Sequence, residues 1–193
     1  LRVSGNAALT SFELSALTEV GGQLNVTGHA ALTSFDLSAL TKVGGDLWVE
    51  YNDALTSFDL PVLTSVGGAL YVGTGEAPVL GGAKLTSFAL PALTEVGGYV
   101  DVYDNDALTS FDLSVLTSVG DYLSVHDNPA LTTLELPALT SVGDDIEVTG
   151  NAALTAVKLP ALISVGSSID SMDSLQVYNN AKLTSLDFSA LTS

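Results

Sequence analysis

An internal repeat of 23 residues constrains this chain more than any other feature. The copies begin at Leu1, Leu24, Leu47, Leu70, Val100, Leu123, Ile146 and Leu175. Seven additional residues separate the fourth start from the fifth, and six separate the seventh from the eighth. Self-similarity at a fixed period of this length is typical of solenoids, in which each copy forms one coil and neighbouring coils cover each other's apolar side chains.

Apolar residues recur at coil positions 1, 3, 9, 12, 14, 17 and 20, counted from the first residue of each copy. In the second copy these residues are Leu24, Val26, Leu32, Phe35, Leu37, Leu40 and Val43. Steps of two residues indicate strands, and steps of three indicate tight 3₁₀ arcs. We therefore predict an all-β solenoid of parallel coils of about 23 residues, with short 3₁₀ turns.

Three further columns mark the corners of each coil. Position 15 is Ser or Pro, which suits the opening of a turn, and position 21 is Gly, which predicts a corner that needs permissive backbone angles. Position 6 is His29 in the second copy, Gly75 in the fourth, and asparagine in the others: Asn6, Asn52, Asn105, Asn128, Asn151 and Asn180. A short amide at a corner bonds backbone groups of adjacent coils, so we predict a structural asparagine ladder.

We expect residues 1–193 to form a single solenoid of about eight coils, with insertions near 73–83 and 169–174. The chain begins and stops inside a repeat, so we expect both ends to be uncapped and the chain to belong to a longer protein. An uncapped end presents unpaired strand edges and apolar columns, which favour head-to-tail stacking of copies.

The charge of the chain excludes several classes of partner. Twenty-two acidic residues against five basic ones give a formal net charge of −17, which repels nucleic acid and anionic membranes. No run of ~18 apolar residues predicts a membrane span. Acidic residues also recur at position 13, but a single column does not supply the six to eight oxygens that Ca²⁺ requires. We predict no cofactor and no metal.

The sequence contains few of the residue patterns that indicate an enzyme. Arg2 is the only arginine, there is no Cys, and two histidines without an HExxH motif do not indicate zinc. His126 is close in sequence to Ser124 and Asp127, but a catalytic triad requires convergent geometry rather than adjacency. We therefore predict a protein that is not an enzyme and has no catalytic residues.

The segment LWVEYNDALTSFDLPVLTSVGG contains LxVxxN followed by evenly spaced leucines and resembles the leucine-rich repeat superfamily. The segment LPALTEVGGYVDVYDNDAL resembles the receptor L-domain type of repeat. This resemblance implies right-handed parallel coils and recognition of ligands outside the cell or at its surface. The chain lacks the cysteines of animal receptors and any terminal cap. The resemblance therefore implies a bacterial or archaeal surface protein.

The variable part of each copy is the strand at positions 1 to 5 and the residue before it. All six tyrosines, Trp48 and His126 lie there, whereas every phenylalanine lies in a core column. Exposed aromatic and acidic side chains on one sheet favour recognition of a protein or glycan, although strand-favouring aromatics that merely cover the sheet are the alternative. The predicted ligand-binding residues are Trp48, Tyr51, Tyr71, Asp101, Tyr103 and His126.

Two other features of the sequence allow a functional and a structural interpretation each. The Gly-rich insertion from Gly73 to Ala83 adjoins the variable strands and is either a binding loop or a tolerated surface loop. Threonine fills position 10 in every copy and position 18 in all copies but one. Such columns either order water on an ice-binding face or form a β-branched ladder that stabilises parallel strands.

We therefore predict a non-catalytic extracellular ligand-recognition or adhesion module whose partner is a protein or a carbohydrate. The second hypothesis is a structural repeat that self-associates through its coil ends into a surface assembly or filament. The third is ice binding through the threonine columns. Neither nucleic acid nor direct membrane insertion is expected.

Overall fold

The computed structural model describes residues 1–74, 84–166 and 175–192. These residues form an all-β parallel solenoid in which each coil contributes three strands, one to each of three faces. Seven coils carry all three strands, and the eighth carries two within the described residues. The same residues contain no helix, and hence none that is long and apolar enough to cross a membrane.

The first face is an eight-stranded parallel sheet that follows the order of the coils. Its strands are β1 (Arg2–Ser4), β4 (Leu24–Thr27), β7 (Leu47–Glu50), β10 (Leu70–Gly73), β13 (Val100–Tyr103), β16 (Leu123–His126), β19 (Ile146–Thr149) and β22 (Leu175–Tyr178). The second face is a sheet of two-residue strands, which are β3 (Glu19–Val20), β6 (Lys42–Val43), β9 (Ser65–Val66), β12 (Glu95–Val96), β15 (Ser118–Val119), β18 (Ser141–Val142) and β21 (Ser164–Val165).

The third face divides into parallel sheets of two, three and three strands. Its strands are β2 (Ser11–Glu13), β5 (Ser34–Asp36), β8 (Ser57–Asp59), β11 (Ser87–Ala89), β14 (Ser110–Asp112), β17 (Thr133–Glu135), β20 (Ala156–Lys158) and β23 (Ser185–Asp187). Inside this face five phenylalanine rings stack from coil to coil, with centroids 5.1 to 5.7 Å apart. They pack against the leucine and valine columns of the other faces to form one continuous core.

The strand register confirms the repeat and its two interruptions. Leu47 pairs with Leu70 at the regular spacing. Leu70 then pairs with Val100, and Ile146 pairs with Leu175, so each interruption leaves the column intact. Residues 75–83 and 169–174, where the insertions are predicted, lie outside the described residues.

One hydrogen-bonded turn joins the second and third strands of each three-stranded coil. Leu17 donates its N–H to the carbonyl of Leu14 at 2.9 Å, and later coils repeat this single bond. The next strand begins at Glu19, two residues after Leu17. No residue of the described ranges lies in a 3₁₀ helix, so the predicted 3₁₀ turns are not confirmed.

The glycine column at position 21 also has a different cause from the one predicted. Among the column's described glycines, only Gly166 has a positive φ. A Cβ at Gly120 would instead overlap the carbonyl oxygen of Gly97 in the preceding coil, and Gly44 meets the carbonyl of Gly21 in the same way. Glycine is therefore required because the backbones of successive coils approach closely at this corner.

The position 6 side chains form a column along the opposite corner, which is buried at His29, Asn52, Asn105, Asn128 and Asn151 and exposed at Asn6. The amide of Asn128 donates to the carbonyl of Val102 in the preceding coil at 2.9 Å, and its Oδ1 accepts the backbone N–H of Asn105 at 3.2 Å. His29 makes equivalent bonds with its ring, since Nδ1 accepts the N–H of Asn6 and Nε2 lies 3.0 Å from the carbonyl of Val3. These bonds join backbone groups that the strands leave unpaired.

Candidate functional site

We use the term strand face for the outward side chains of the eight-stranded sheet and of the residues flanking its strands. The alternation of each strand generates this face. In β7, Leu47 and Val49 are buried in the core, while Trp48 lies half-buried on the outer side. Register then places the outer side chains of successive coils in columns, so that Trp48 lies beside Tyr71 and Tyr71 beside Asp101.

Four aromatic side chains on the strand face form an aromatic row: Trp48, Tyr71, Tyr99 and Tyr122. The rings of Trp48 and Tyr71 have centroids 4.5 Å apart, and Tyr71 meets Tyr99 edge to face at 4.9 Å. Tyr99 and Tyr122 stack at 4.4 Å with nearly parallel planes. The indole Nε1 of Trp48 is buried without a hydrogen-bond partner. Much of the aromatic surface in this row is therefore already covered by neighbouring rings.

A second group on the strand face links Glu50, Tyr103 and His126. The Tyr103 hydroxyl donates to Oε1 of Glu50 at 2.6 Å across the intervening coil. It reaches there because the intervening residue is Gly73, where a Cβ would meet the Tyr103 ring at 2.8 Å. Burial of Glu50, which is only 4% exposed, raises the pKa of its carboxyl despite the bond from Tyr103. Burial and the bond to Glu50 raise the pKa of Tyr103.

His126 is the positively charged member of this group. Its Nε2 lies 3.5 Å from Oδ1 of Asp101, an ion-pair distance without hydrogen-bond alignment, and its Nδ1 lies 3.2 Å from Oδ2 of Asp127. The Asp101 carboxylate, assisted by Asp127 and opposed by burial, raises the pKa of His126 to about 9. The ring is stacked on Tyr103 with centroids 5.5 Å apart. Its protonated form therefore has two carboxylates and an aromatic face around it.

Tyr51 follows β7 in a strained backbone conformation. Its φ is +55°, a left-handed angle that bulky residues rarely adopt, and its side chain is 40% exposed. The same coil position is glycine with positive φ at Gly5, Gly28 and Gly150. The fifth, sixth and eighth coils place Asp or Asn there, residues that tolerate this angle, and the fourth coil places Thr74, whose φ is not positive. Among the described residues, Tyr51 is the bulky exception.

A groove opens in the strand face where the aromatic row ends. It has a volume of about 320 Å³, which is at the lower end of the range for small-ligand sites. It is lined by Asp101, Tyr122, Ser124, His126, Asp145 and Glu147. Ser124 has the smallest side chain of these residues, so the groove lies above its strand, between the larger side chains of neighbouring coils.

The six predicted binding residues lie on one face but divide into distinct groups. Trp48 and Tyr71 belong to the aromatic row, and Tyr103 and His126 stack beside Asp101. Tyr51 lies at the edge, close enough to raise the pKa of Tyr103.

The predicted binding residues left out Glu50, Tyr99, Tyr122, Ser124, Asp145 and Glu147. Tyr99 and Tyr122 were placed in the variable part of the repeat, directly before their strands, and this position was the signal that could have added them to the predicted site. Ser124 could have been indicated by being small in a column of large outward side chains.

The threonine columns form ladders on the far side of the coil. Thr41 donates its hydroxyl to the carbonyl of Thr18 at 2.8 Å, and Thr33 donates to that of Thr10 at 3.1 Å. Their hydroxyl hydrogens are thus used within the protein, while the side chains stay exposed. This geometry is that of a stacking device between coils.

Within residues 1–74, 84–166 and 175–192, no group of three or more His, Asp or Glu side chains is arranged to hold a metal ion. Compared with known proteins, the chain matches no family model, no curated protein and no solved structure. The geometry of the strand face is therefore the evidence from which a function can be argued.

Proposed function

We propose that this chain is a non-catalytic recognition or adhesion module that binds a protein or glycan ligand on its strand face, outside the cell or at its surface. The observation that carries the proposal is Tyr51, an exposed aromatic side chain held at φ +55°. A bulky residue at such an angle costs about 1–3 kcal/mol, and this cost is typical of functional sites. Three other coils use glycine at the equivalent position and avoid the cost.

The neighbours of Tyr51 support the same interpretation. Trp48 and Tyr71 lie on the same face, and the bond between Tyr103 and Glu50 crosses the coil between them. Aromatic anchors surrounded by fixed polar groups are the usual composition of binding hot spots. On the threonine-lined side the same small side chain recurs from coil to coil, and its hydroxyl bonds the preceding coil. Such a uniform surface stabilises the stacking of coils and does not distinguish one ligand from another.

A non-catalytic role is supported by the surroundings of His126. The groove is lined by Ser124, His126 and Asp101, which are the residue types of a hydrolytic Ser-His-Asp triad. A hydrolase is therefore the enzyme class against which this arrangement must be checked. A triad needs one histidine nitrogen to face the serine hydroxyl. Here Nε2 faces Asp101 and Nδ1 faces Asp127, and the raised pKa keeps the ring protonated at neutral pH. A protonated ring with both nitrogens directed at carboxylates is a poor general base.

The receptor L-domain type of leucine-rich repeat, with right-handed coils, is the subtype we propose for this solenoid. Support comes from the LxVxxN strand motif and from the position 6 amides that bond adjacent coils. A parallel sheet that varies on its outer side while the core repeats suits such a scaffold.

Screening the chain against arrays of glycans and extracellular proteins tests the proposal, with affinity then measured for the ligands found. A Tyr51→Gly variant is the sharpest probe, because relief of backbone strain should raise stability by about 1 kcal/mol while removal of the side chain lowers affinity. A Trp48→Ala, Tyr71→Ala variant should lose at least about tenfold in affinity.

The matched control replaces two exposed serines of the third face, Ser34→Ala with Ser57→Ala, and should leave affinity unchanged. Unchanged binding by the Tyr51 and Trp48/Tyr71 variants would refute recognition through the strand face.

A further inference from the structure

The groove beside Ser124 has an aromatic wall with one open face. Tyr99 covers one face of the Tyr122 ring, with centroids 4.4 Å apart and an interplanar angle of 8°. The next coil places Asp145 rather than an aromatic residue in the same column, where its carbonyl accepts the N–H of Leu123 at 2.9 Å. The second face of the Tyr122 ring therefore borders the groove, and a flat apolar surface of a ligand can stack on it.

Ser124 supplies a buried hydroxyl at the floor of this groove. Its strand neighbours Leu123 and Val125 are buried in the core, so alternation directs Ser124 outward into the groove, although the residue is only 7% exposed. Within the part of the chain that the structure describes, its side chain has no hydrogen-bond partner. Because buried polar groups are nearly always paired, this hydroxyl indicates a ligand with a polar group above the floor.

The carboxylates that line the groove already have partners within the protein. Oδ1 of Asp101 lies 3.5 Å from Nε2 of His126, in an ion pair. Oε1 of Glu147 accepts the hydroxyl of Tyr178, and Asp145 also has an interaction of its own. These contacts fix the orientation of the carboxylates, and a carboxylate has about four lone-pair sites. Each carboxylate therefore serves as a fixed acceptor for further O–H donors without giving up its partner.

The charges around the groove do not favour a charged ligand. His126, whose pKa is raised to about 9, is protonated at neutral pH and repels a second cation in the groove that it lines. The three carboxylates of the lining repel an anion. What remains is a neutral ligand that has one apolar face for the aromatic wall and several O–H donors for the acceptors. A sugar in its pyranose form has these properties, and the groove of about 320 Å³ holds one ring of this kind.

We infer that this groove binds one neutral hexopyranose residue of a glycan ligand. The weakly positive C–H groups on one face of the sugar ring stack on the open, electron-rich face of Tyr122. One sugar hydroxyl exchanges a hydrogen bond with Ser124, and others donate to the carboxylates of Asp145 and Glu147. This inference rests on the proposed function and selects a glycan over a protein as the ligand of the strand face.

Titration of the full chain with the methyl pyranosides of glucose, galactose and mannose, followed by amide NMR shifts, tests the inference. Methyl glucuronide is the anionic control, methyl glucosaminide is the cationic control, and sorbitol is a neutral polyol without a ring. We expect at least one of the three pyranosides to bind with a dissociation constant on the order of millimolar. The largest shifts should occur at Tyr122, Ser124 and Glu147. Both charged sugars should bind at least about threefold more weakly, and sorbitol should produce no shifts.

Substitutions at the wall and at the floor locate the binding. Tyr122→Leu should weaken the pyranoside by about tenfold, whereas Tyr122→Phe keeps the ring and should change its affinity by less than about twofold. Ser124→Ala should weaken it by about fivefold through loss of one hydrogen bond, and Ser124→Leu should abolish binding by filling the groove. Ser57→Leu, on the third face, is the matched control and should leave affinity unchanged. The amide spectrum of the other coils reports whether each variant is folded.

Absence of shifts with all three pyranosides would overturn the inference, and so would equal binding of sorbitol or of either charged sugar. Affinity that is unchanged in folded Tyr122→Leu and Ser124→Ala variants would overturn it as well. A protein ligand found on the arrays, with no response to the pyranosides, would overturn the choice of a glycan while supporting recognition on the strand face. Failure of the proposed function has a different signature, namely array ligands whose affinity ignores Tyr51, Trp48 and Tyr71.

Discussion

Removal of one rung of the asparagine column should destabilise the solenoid far more than a single surface substitution. Asn128 is fully buried, and its side chain serves three backbone groups. It donates to the carbonyls of Val102 and His126 at 2.9 and 2.8 Å, and it accepts the N–H of Asn105 at 3.2 Å. Asn128→Ala leaves the Asn105 N–H and the Val102 carbonyl without these partners.

Each buried group left unpaired costs about 1–3 kcal/mol, so Asn128→Ala should lower the free energy of unfolding by about 3–5 kcal/mol. Asn6→Ala is the matched control, because Asn6 is exposed and its amide donates to the carbonyl of Ser4. That variant should lose less than about 1 kcal/mol.

Urea unfolding followed by circular dichroism measures the difference between the two variants. Repeat arrays depart from two-state unfolding, so hydrogen exchange of the Asn105 amide provides a local measure and should accelerate in Asn128→Ala. Equal losses in the two variants, or an Asn105 amide that stays protected, would refute the ladder as a source of stability.

Three further predictions concern other columns and the strand face. Gly120→Ala should lower the free energy of unfolding by about 2 kcal/mol or more, because the new Cβ overlaps the Gly97 carbonyl, whereas Gly21→Ala meets nothing within 4 Å and should be nearly neutral by urea titration. His126 has a raised pKa in the folded state, so its contribution to stability, on the order of 2 kcal/mol, should be complete below pH 6.5 and lost as the pH rises through about 9. The free energy of unfolding of the wild type and of His126→Gln, measured from pH 6.5 to about 9, gives the contribution of His126. The same pH dependence in both proteins would contradict this prediction. His29→Asn should change the melting temperature little, since an amide restores the bonds that the His29 ring makes, and a large loss by differential scanning calorimetry would contradict that equivalence.

The fold could be predicted from the sequence because the apolar pattern within each repeat determines how the strands of successive coils align. The spacing of Leu70 from Val100 contains the seven-residue interruption, and the structure pairs these residues directly. The cause of the glycine column did not follow, since the close approach of Gly120 to Gly97 is a distance between coils rather than a property of one turn. The 3₁₀ turns predicted from steps of three residues are not confirmed, since the described residues form single hydrogen-bonded turns there.

The sequence predicted which side chains lie on the strand face. It did not predict which of these side chains contact each other. Alternation in the strand places Trp48 outward, and this follows from sequence alone. The bond from Tyr103 to Glu50 depends on the absence of a side chain at Gly73, one coil away from each of them. The groove depends similarly on the small side chain of Ser124 between two longer ones. Such sites arise from combinations of three coils, which the repeat itself does not encode.

Amide chemical-shift mapping with a ligand identified on the arrays tests recognition by the strand face most directly. The largest changes are expected in β7, β10, β13 and β16 and in the residues that follow them, with the Thr33 and Thr41 columns unaffected. Changes centred on those threonine columns, or confined to the first and last coils, would contradict recognition through the strand face.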